Sequence, residues 1–276
     1  MDNMRKYLMF NLDLPYTEAD ISVVVPQASQ YKKRIAWFLD QFIRGTPGSI
    51  VKNTIVPYDP GDTDTEEQLK KFNVKGIPVT PPHSTYKIQA GLKAIRTRLV
   101  IRMANDTFIK RSDWAKILVD QFNSMSEPQL IGAIYPTADF AESTINKFKE
   151  WFPHYSPALD DLRLTPHEGG LIGNICYMHG YFMASQSYVL QTLYPQIVDF
   201  NQGAMGKEDC LIGHLASSHR VKIVCWDNLG DFCKHVGKHT ADFEGEEEQL
   251  PKIVYADETT EPRPKFRIMP NGPIDD

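Results

Sequence analysis

Short apolar, β-branched runs alternate along the chain with stretches whose apolar residues recur every three or four positions. Ile21-Ser22-Val23-Val24-Val25 reads as a strand stopped by Pro26, and Ile35, Phe38, Leu39 and Phe42 mark a helix that ends at Gly45. Residues 49–56 read as a second strand, 66–72 as a helix and 76–84 as a Pro-rich loop. A helix follows over 86–95, with Ile88, Leu92 and Ile95 on one side. Residues 99–103 form the third strand and 130–135 the fourth. Between the last two, Trp114, Ile117, Leu118 and Phe122 share the face of another helix. This β-α-β-α alternation predicts an α/β fold, a mostly parallel sheet with helices on both faces.

From 151 to 173 the periodicity is broken by Pro153, Pro157, Pro166, Gly169 and Gly170. A long irregular stretch inside a compact domain is usually functional or disordered, and Trp151, Phe152 and Tyr155 argue for order. Regularity returns at Tyr181-Phe182-Met183-Ala184, with a helix expected from 185 to about 193. Another helix is expected after Lys207, and a strand over 221–226. The last stretch, 241–276, carries Glu244-Gly245-Glu246-Glu247-Glu248 and several prolines, a composition that suits an extended arm outside the core. Residues 1–240 are accordingly read as one domain.

The composition narrows the class without naming it. Of 276 residues, 42% are hydrophobic, enough for a substantial core, and the net charge is −5 with no basic cluster, which disfavours nucleic acid as a partner. No apolar run approaches the roughly 18 residues of a membrane span, and the first 14 residues do not read as a signal peptide. Cys176, Cys210, Cys225 and Cys233 contain no C-x-x-C pair, so they are expected to be buried thiols in a reducing, cytoplasmic setting, with peripheral attachment to a membrane left open. The acidic tail could pack on a neighbouring copy, which leaves a homo-oligomer open as well.

Five segments carry the candidate chemistry. Val23-Val24-Val25-Pro26 closes the first strand, and Asp59-Pro60-Gly61-Asp62-Thr63-Asp64 follows the second. Asn105-Asp106-Thr107 ends the third; Gly206-Lys207-Glu208-Asp209 opens a helix, and Phe232-Cys233-Lys234-His235 follows the strand after it. Each alone suits a bland role: Asn-Asp makes turns, and Glu-Asp suits the positive end of a helix. In this order and spacing the chain resembles the GT-A glycosyltransferases of the large inverting family that includes bacterial rhamnosyl- and glucosyl-type enzymes.

The resemblance, which spans about residues 20–240, implies a GT-A fold and inverting transfer of a sugar from a nucleotide-diphosphate donor to a glycan or other hydroxyl acceptor, as in surface polysaccharide synthesis. It implies donor contacts from Pro26, Gln27, Asp59, Lys87, Asn105 and Asp106. It further implies a Mn²⁺ or Mg²⁺ ion on Asp106 and His235, with His239 as an alternative ligand. Such ions keep waters and bind substrate phosphate directly, so few protein ligands are needed. Asp209 would be the base that takes the acceptor proton, with Glu208 orienting the acceptor or the helix start. The resemblance divides the domain into a donor half over about 20–135 and an acceptor half over 136–240, the latter a mixed subregion. There the irregular stretch, with His154, Asp160, Asp161 and His167, would form the acceptor side, and Gly180-Tyr181-Phe182 would border the donor sugar.

One residue departs from the pattern. Ala104 stands where the family usually has an acidic residue or Asn, and a methyl group can neither ligate nor hydrogen-bond. That feature favours a second reading, a catalytically weak nucleotide- or carbohydrate-binding protein on the same fold. A sugar nucleotidyltransferase would need a Gly-rich basic loop after the first strand, and Pro26-Gln27-Ala28-Ser29-Gln30 has no glycine.

Overall fold

The computed structural model describes residues 14–134, 171–172, 175–176, 178–201, 208–236, 253–256 and 260–269. Its first strand, β1 (Ile21–Val24), is buried along its whole length. Ile21 and Val23 face one helical layer and Val24 the other, which explains a strand without polar alternation. Helix α1 (Lys32–Gly45) packs Ile35, Phe38, Leu39 and Phe42 into the first layer, all fully buried. Strand β2 (Thr54–Tyr58) then pairs parallel with β1.

Two expectations fail here. The second strand begins at Thr54 because residues 48–52 form a short helix, α2 (Gly48–Lys52), opened by the Ile50 and Val51 amides donating to the Pro47 carbonyl. A short apolar run does not reveal its period, so Ile50 and Val51 were compatible with either element. The Pro-rich loop is also partly a strand. After helix α3 (Thr63–Phe72), capped by the Asp62 carboxylate on the Thr65 amide, β3 (Lys75–Pro78) pairs parallel with β2. It is an edge strand, where the missing Pro78 donor costs no ladder bond.

Helix α4 (Ser84–Ala94) buries Ile88 and Leu92 in the second layer, and β4 (Leu99–Met103) pairs parallel with β1 on the side away from β2. The short β5 (Thr107–Ile109) leads to α5 (Trp114–Asn123), whose Trp114, Leu118 and Phe122 are buried as their spacing predicts. β6 (Gln129–Ile134) closes this half. β7 (Leu171–Ile172) and β8 (Ile175–Cys176) form a small antiparallel pair. β9 (Met178–Gln186) runs antiparallel between β4 and β6. The helix expected from 185 therefore starts later, as α6 (Ser187–Asn201), because Ser185 and Gln186 still belong to the strand. α7 (Glu208–Ser218), β10 (Lys222–Trp226), β11 (Cys233–His235) and β12 (Phe266–Ile268) follow.

The main sheet has the order β12-β10-β6-β9-β4-β1-β2-β3. Six of its strands run in one direction, and β9 and β12 oppose them. From β1 the chain winds outward through β2 and β3, then returns to place β4 on the other side of β1. The winding thus reverses between β1 and β4. In open α/β sheets such a reversal leaves a crevice at the carboxyl ends of the two strands. The arm does not stay wholly outside the core: β12 adds an antiparallel edge to β10, and Met269 is buried in the second layer. Cys225 and Cys233 are buried thiols, as expected, and burial pushes the Cys233 thiol well up.

Candidate active site

Where β1 ends, the backbone crosses to its neighbours: the Val25 amide donates to the Ile55 carbonyl and the Gln27 amide to Pro57. This carries Gln27, which is fully buried, over the carboxyl ends of β1 and β2. Its side-chain Oε1 accepts from Asn105 Nδ2 at 2.5 Å, and so ties the end of β1 to the turn after β4 across the reversal. Its carbonyl accepts from Lys87 Nζ at 2.7 Å. Lys87, projecting from the first turns of α4, is 2% exposed and ion-pairs with Asp59. The Asp59 carboxylate also accepts from the Ser29 amide at 2.7 Å. Burial pushes the Asp59 carboxyl up, but Lys87 and the Ser29 amide outweigh it and hold it below the ordinary carboxylate value. Lys87 is therefore no solvated helical lysine. Gln27, Asp59, Lys87 and Asn105, drawn from four separate elements, form one polar network, buried except for the partly exposed Asp59.

Asp106 lies beside this network. The turn that presents it closes with the Thr107 amide donating to Ala104 O, and Ala104 N donates to the Tyr181 carbonyl. The Ala104 backbone is thus committed to the fold, and its methyl supplies no ligand. Antiparallel pairing of β5 with β11 puts His235 opposite Thr107. As a result His235 Nε2 stands 3.2 Å from Asp106 Oδ2. The His235 ring is fixed by its neighbours. It stacks on Tyr181 at 5.1 Å and 11°, and His179 lies edge-on to both. Residues 179 and 181 are two apart on β9 and so share a face.

Two residues of α1 complete the site, and the sequence reading missed both. Arg34 Nη1 sits 3.7 Å from Asp106 Oδ2, with both side chains nearly buried. Seven positions on, the buried Gln41 donates to the Thr107 carbonyl at 2.9 Å and accepts from the Ile109 amide at 2.9 Å, which clamps β5. Both stand on the helix face that carries Ile35, Phe38 and Phe42. A polar residue within an apolar stripe, repeated after seven positions, was the available signal. His179 was likewise missed, though it is two residues from Tyr181 on a strand the sequence had placed beside the donor.

Asp106 Oδ1 is buried and has no hydrogen-bond partner among the described residues. An orphaned carboxylate oxygen is costly, and a cation beside it would remove the cost. The described residues contain no group of three His, Cys, Asp or Glu side chains able to hold a metal. Asp106 and His235 together offer two ligands to an ion that can take others from substrate phosphate and water. Glu208 and Asp209 open α7, but their side chains lie outside the described residues, as do those of Cys176 and Cys210. His239 and the 151–170 stretch lie outside them too, and Pro26 leads directly into Gln27. Among the described residues no helix is long and apolar enough to cross a membrane.

No protein-family model matches the chain. No curated protein matches it either. Among solved structures, it is similar to glucosyl-3-phosphoglycerate synthase from Mycobacterium tuberculosis in complex with Mn²⁺, uridine diphosphate and glucosyl-3-phosphoglycerate. That alignment has 17% identity and a TM-score of 0.41, and it covers 66% of this chain and 65% of that one. The same enzyme with Mn²⁺, UDP-glucose and phosphoglyceric acid aligns at 16% identity and TM-score 0.42, over 72% of this chain and 73% of that one. Its complex with uridine diphosphate gives 16% and 0.42, over 68% and 71%. The chain thus spans slightly under two thirds of the length of the first of these.

Proposed function

We propose that this chain transfers a sugar from a nucleotide-diphosphate donor to an acceptor hydroxyl, with inversion at the anomeric carbon. The observation that carries the reading is a nearly buried carboxylate, Asp106, at the β1/β4 reversal. One of its oxygens is orphaned, the other faces His235, and the Gln27–Asn105–Lys87–Asp59 network stands beside it. Asp59, Gln27 and Asn105 offer carboxylate and amide groups suited to a base and ribose. Lys87 and Arg34 supply positive charge for the diphosphate.

The site fits one divalent ion, Mn²⁺ or Mg²⁺, held by Asp106 and His235. When bound, it would neutralise charge developing on the leaving diphosphate. Tyr181 and His179 hold the His235 ring in place. Asp209, at the start of α7, takes the acceptor proton, and Glu208 orients the acceptor. We place the chain in the cytoplasm, acting on a glycan or other hydroxyl acceptor.

Ala104 favours a second reading, since the turn contributes one carboxylate where the family pattern has two polar positions. In that reading the chain binds nucleotide or carbohydrate and turns over weakly or not at all.

The test is a thermal-shift panel of UDP, GDP, TDP and CDP, each with and without Mn²⁺. A ligand at a hundredfold excess over its Kd adds about 2.7 kcal/mol to stability. The expected result is a Mn²⁺-dependent shift with one nucleotide that Asp106→Ala abolishes. No shift with any of them defeats the transferase reading. Transfer of sugar from the matching donor then separates the two readings. Asp209→Asn should abolish turnover while leaving the nucleotide shift intact, and unchanged turnover would remove the base assignment.

A further inference from the structure

Among the described residues, the guanidinium of Arg34 places a positive charge of the protein itself beside Asp106. Arg34 and His235 approach the same oxygen, Oδ2, from α1 and β11, while Oδ1 has no hydrogen-bond partner among the described residues. Arg34 and Asp106 are 4% and 6% exposed, so their attraction is only weakly screened by salt. A dication entering at Asp106 would meet a fixed positive charge about one ion-pair distance away. The reverse holds for a diphosphate, which a guanidinium binds through two parallel hydrogen bonds.

We propose that Arg34 is a tethered counter-cation. It neutralises Asp106 in the ligand-free protein, opposes binding of a free divalent ion, and yields Asp106 when a nucleotide diphosphate arrives to take the guanidinium. Metal and diphosphate then bind as a coupled pair, each weakly alone. The inference rests on the reading of Asp106 as a metal ligand, but it assigns a different residue and predicts the opposite sign for its loss. Removing Asp106 weakens metal binding; removing Arg34 strengthens it. Gln41, one heptad on, holds β5 so that the two charges stay opposed.

The experiment is a titration of the full chain with Mn²⁺ alone, reading free Mn²⁺ by electron paramagnetic resonance, for the native protein, Arg34→Gln, Arg34→Lys and Asp106→Asn. Native protein should bind Mn²⁺ weakly. Arg34→Gln should bind about tenfold tighter, within the range of about 5–150-fold usual for coupled sites. Arg34→Lys, which keeps the charge, should stay near native. Adding UDP should tighten Mn²⁺ binding to the native protein by a larger factor than to Arg34→Gln. Equal Mn²⁺ affinity in the native protein and Arg34→Gln, with binding still lost in Asp106→Asn, overturns the role of Arg34 and leaves the ligand role standing. Mn²⁺ binding that survives Asp106→Asn overturns the site itself. If Arg34→Gln is too unstable to titrate at room temperature, its melting temperature is read in the cold-prepared protein with and without Mn²⁺. The Mn²⁺-induced rise should exceed that of the native protein, and an equal or smaller rise defeats the proposal.

Discussion

Lys87 shows what a single residue contributes to this site and what it costs to remove. Its ammonium lies under the carboxyl end of β1, paired with Asp59 and donating to Gln27 O. Lys87→Met keeps much of the volume but leaves the Asp59 carboxylate without its cation, held by the Ser29 amide and side chain. We expect a loss of about 3 kcal/mol, the scale of breaking a buried pair by removing one partner. The pair also has a pH signature. The folded Asp59 carboxyl lies below its unfolded value, so its contribution is complete above that value, about 4, and is lost as pH falls through the lower folded value. Urea midpoints from neutral to acid pH should fall for both proteins, because Asp20 and Asp227 are held low in the same direction. They should fall less for Lys87→Met. At this scale the sequence marked Gln27, Asp59, Asn105, Asp106 and His235, because each sits at a strand end or within a motif, and Lys87 through the family resemblance alone. It did not mark Arg34, Gln41 or His179. A buried polar side chain looks like a solvated one until the element covering it is known.

Elements were legible wherever periodicity ran long enough. Helices α1 and α5 and strands β1 and β4 came through because four or five apolar residues agreed on one period. The failures were short: α2 offered two apolar residues, and β3 has two exposed and two half-exposed positions along its four residues. β3 owes its existence to its neighbours. A Cβ on Gly76 would come within 3.0 Å of the side chains of both Leu69 and Tyr58, which would have to shift to admit it, so glycine lets β3 lie this close without that adjustment. The clamp between α1 and β5 was invisible for the same reason, since it joins a helical side chain to backbone atoms 66 and 68 residues away. Gln41→Leu leaves the Thr107 carbonyl and Ile109 amide without that partner, at a cost of about 3 kcal/mol. Hydrogen exchange at the Ile109 amide should accelerate beyond what global destabilisation explains. Native-like protection there would show that the clamp does not hold β5.

The whole molecule depends on how the sheet is closed at its far edge. β12 was hidden from the sequence because Phe266, Arg267 and Ile268 form too short a run to show alternation, and two of the three remain exposed even when paired. What brings it to β10 lies elsewhere. Arg111, 4% exposed, donates to the Pro262 carbonyl at 2.6 Å and the Thr260 carbonyl at 3.1 Å, pairs with both oxygens of Asp113, and lies over the Phe232 ring. Val254 joins the same strap, its amide donating to Lys110 and its carbonyl accepting from Ser112. Phe266 then packs on Trp226, which in turn contacts Phe182 and Phe232 in the first-layer core. The described residues of this arm therefore brace the strand-turn-strand unit that carries Asp106. Arg111→Leu should cost about 3–5 kcal/mol, mostly from stranding Asp113. Adding Asp113→Leu separates the terms, because replacing both charges with apolar groups returns the stranded-charge part and leaves only the two lost tail bonds. The double variant should therefore recover most of the Tm while residues 253–269 stay newly open to limited proteolysis. If its tail is as resistant as the native one, the pair holds itself and not the strap, and β12 is retained by its own ladder with β10.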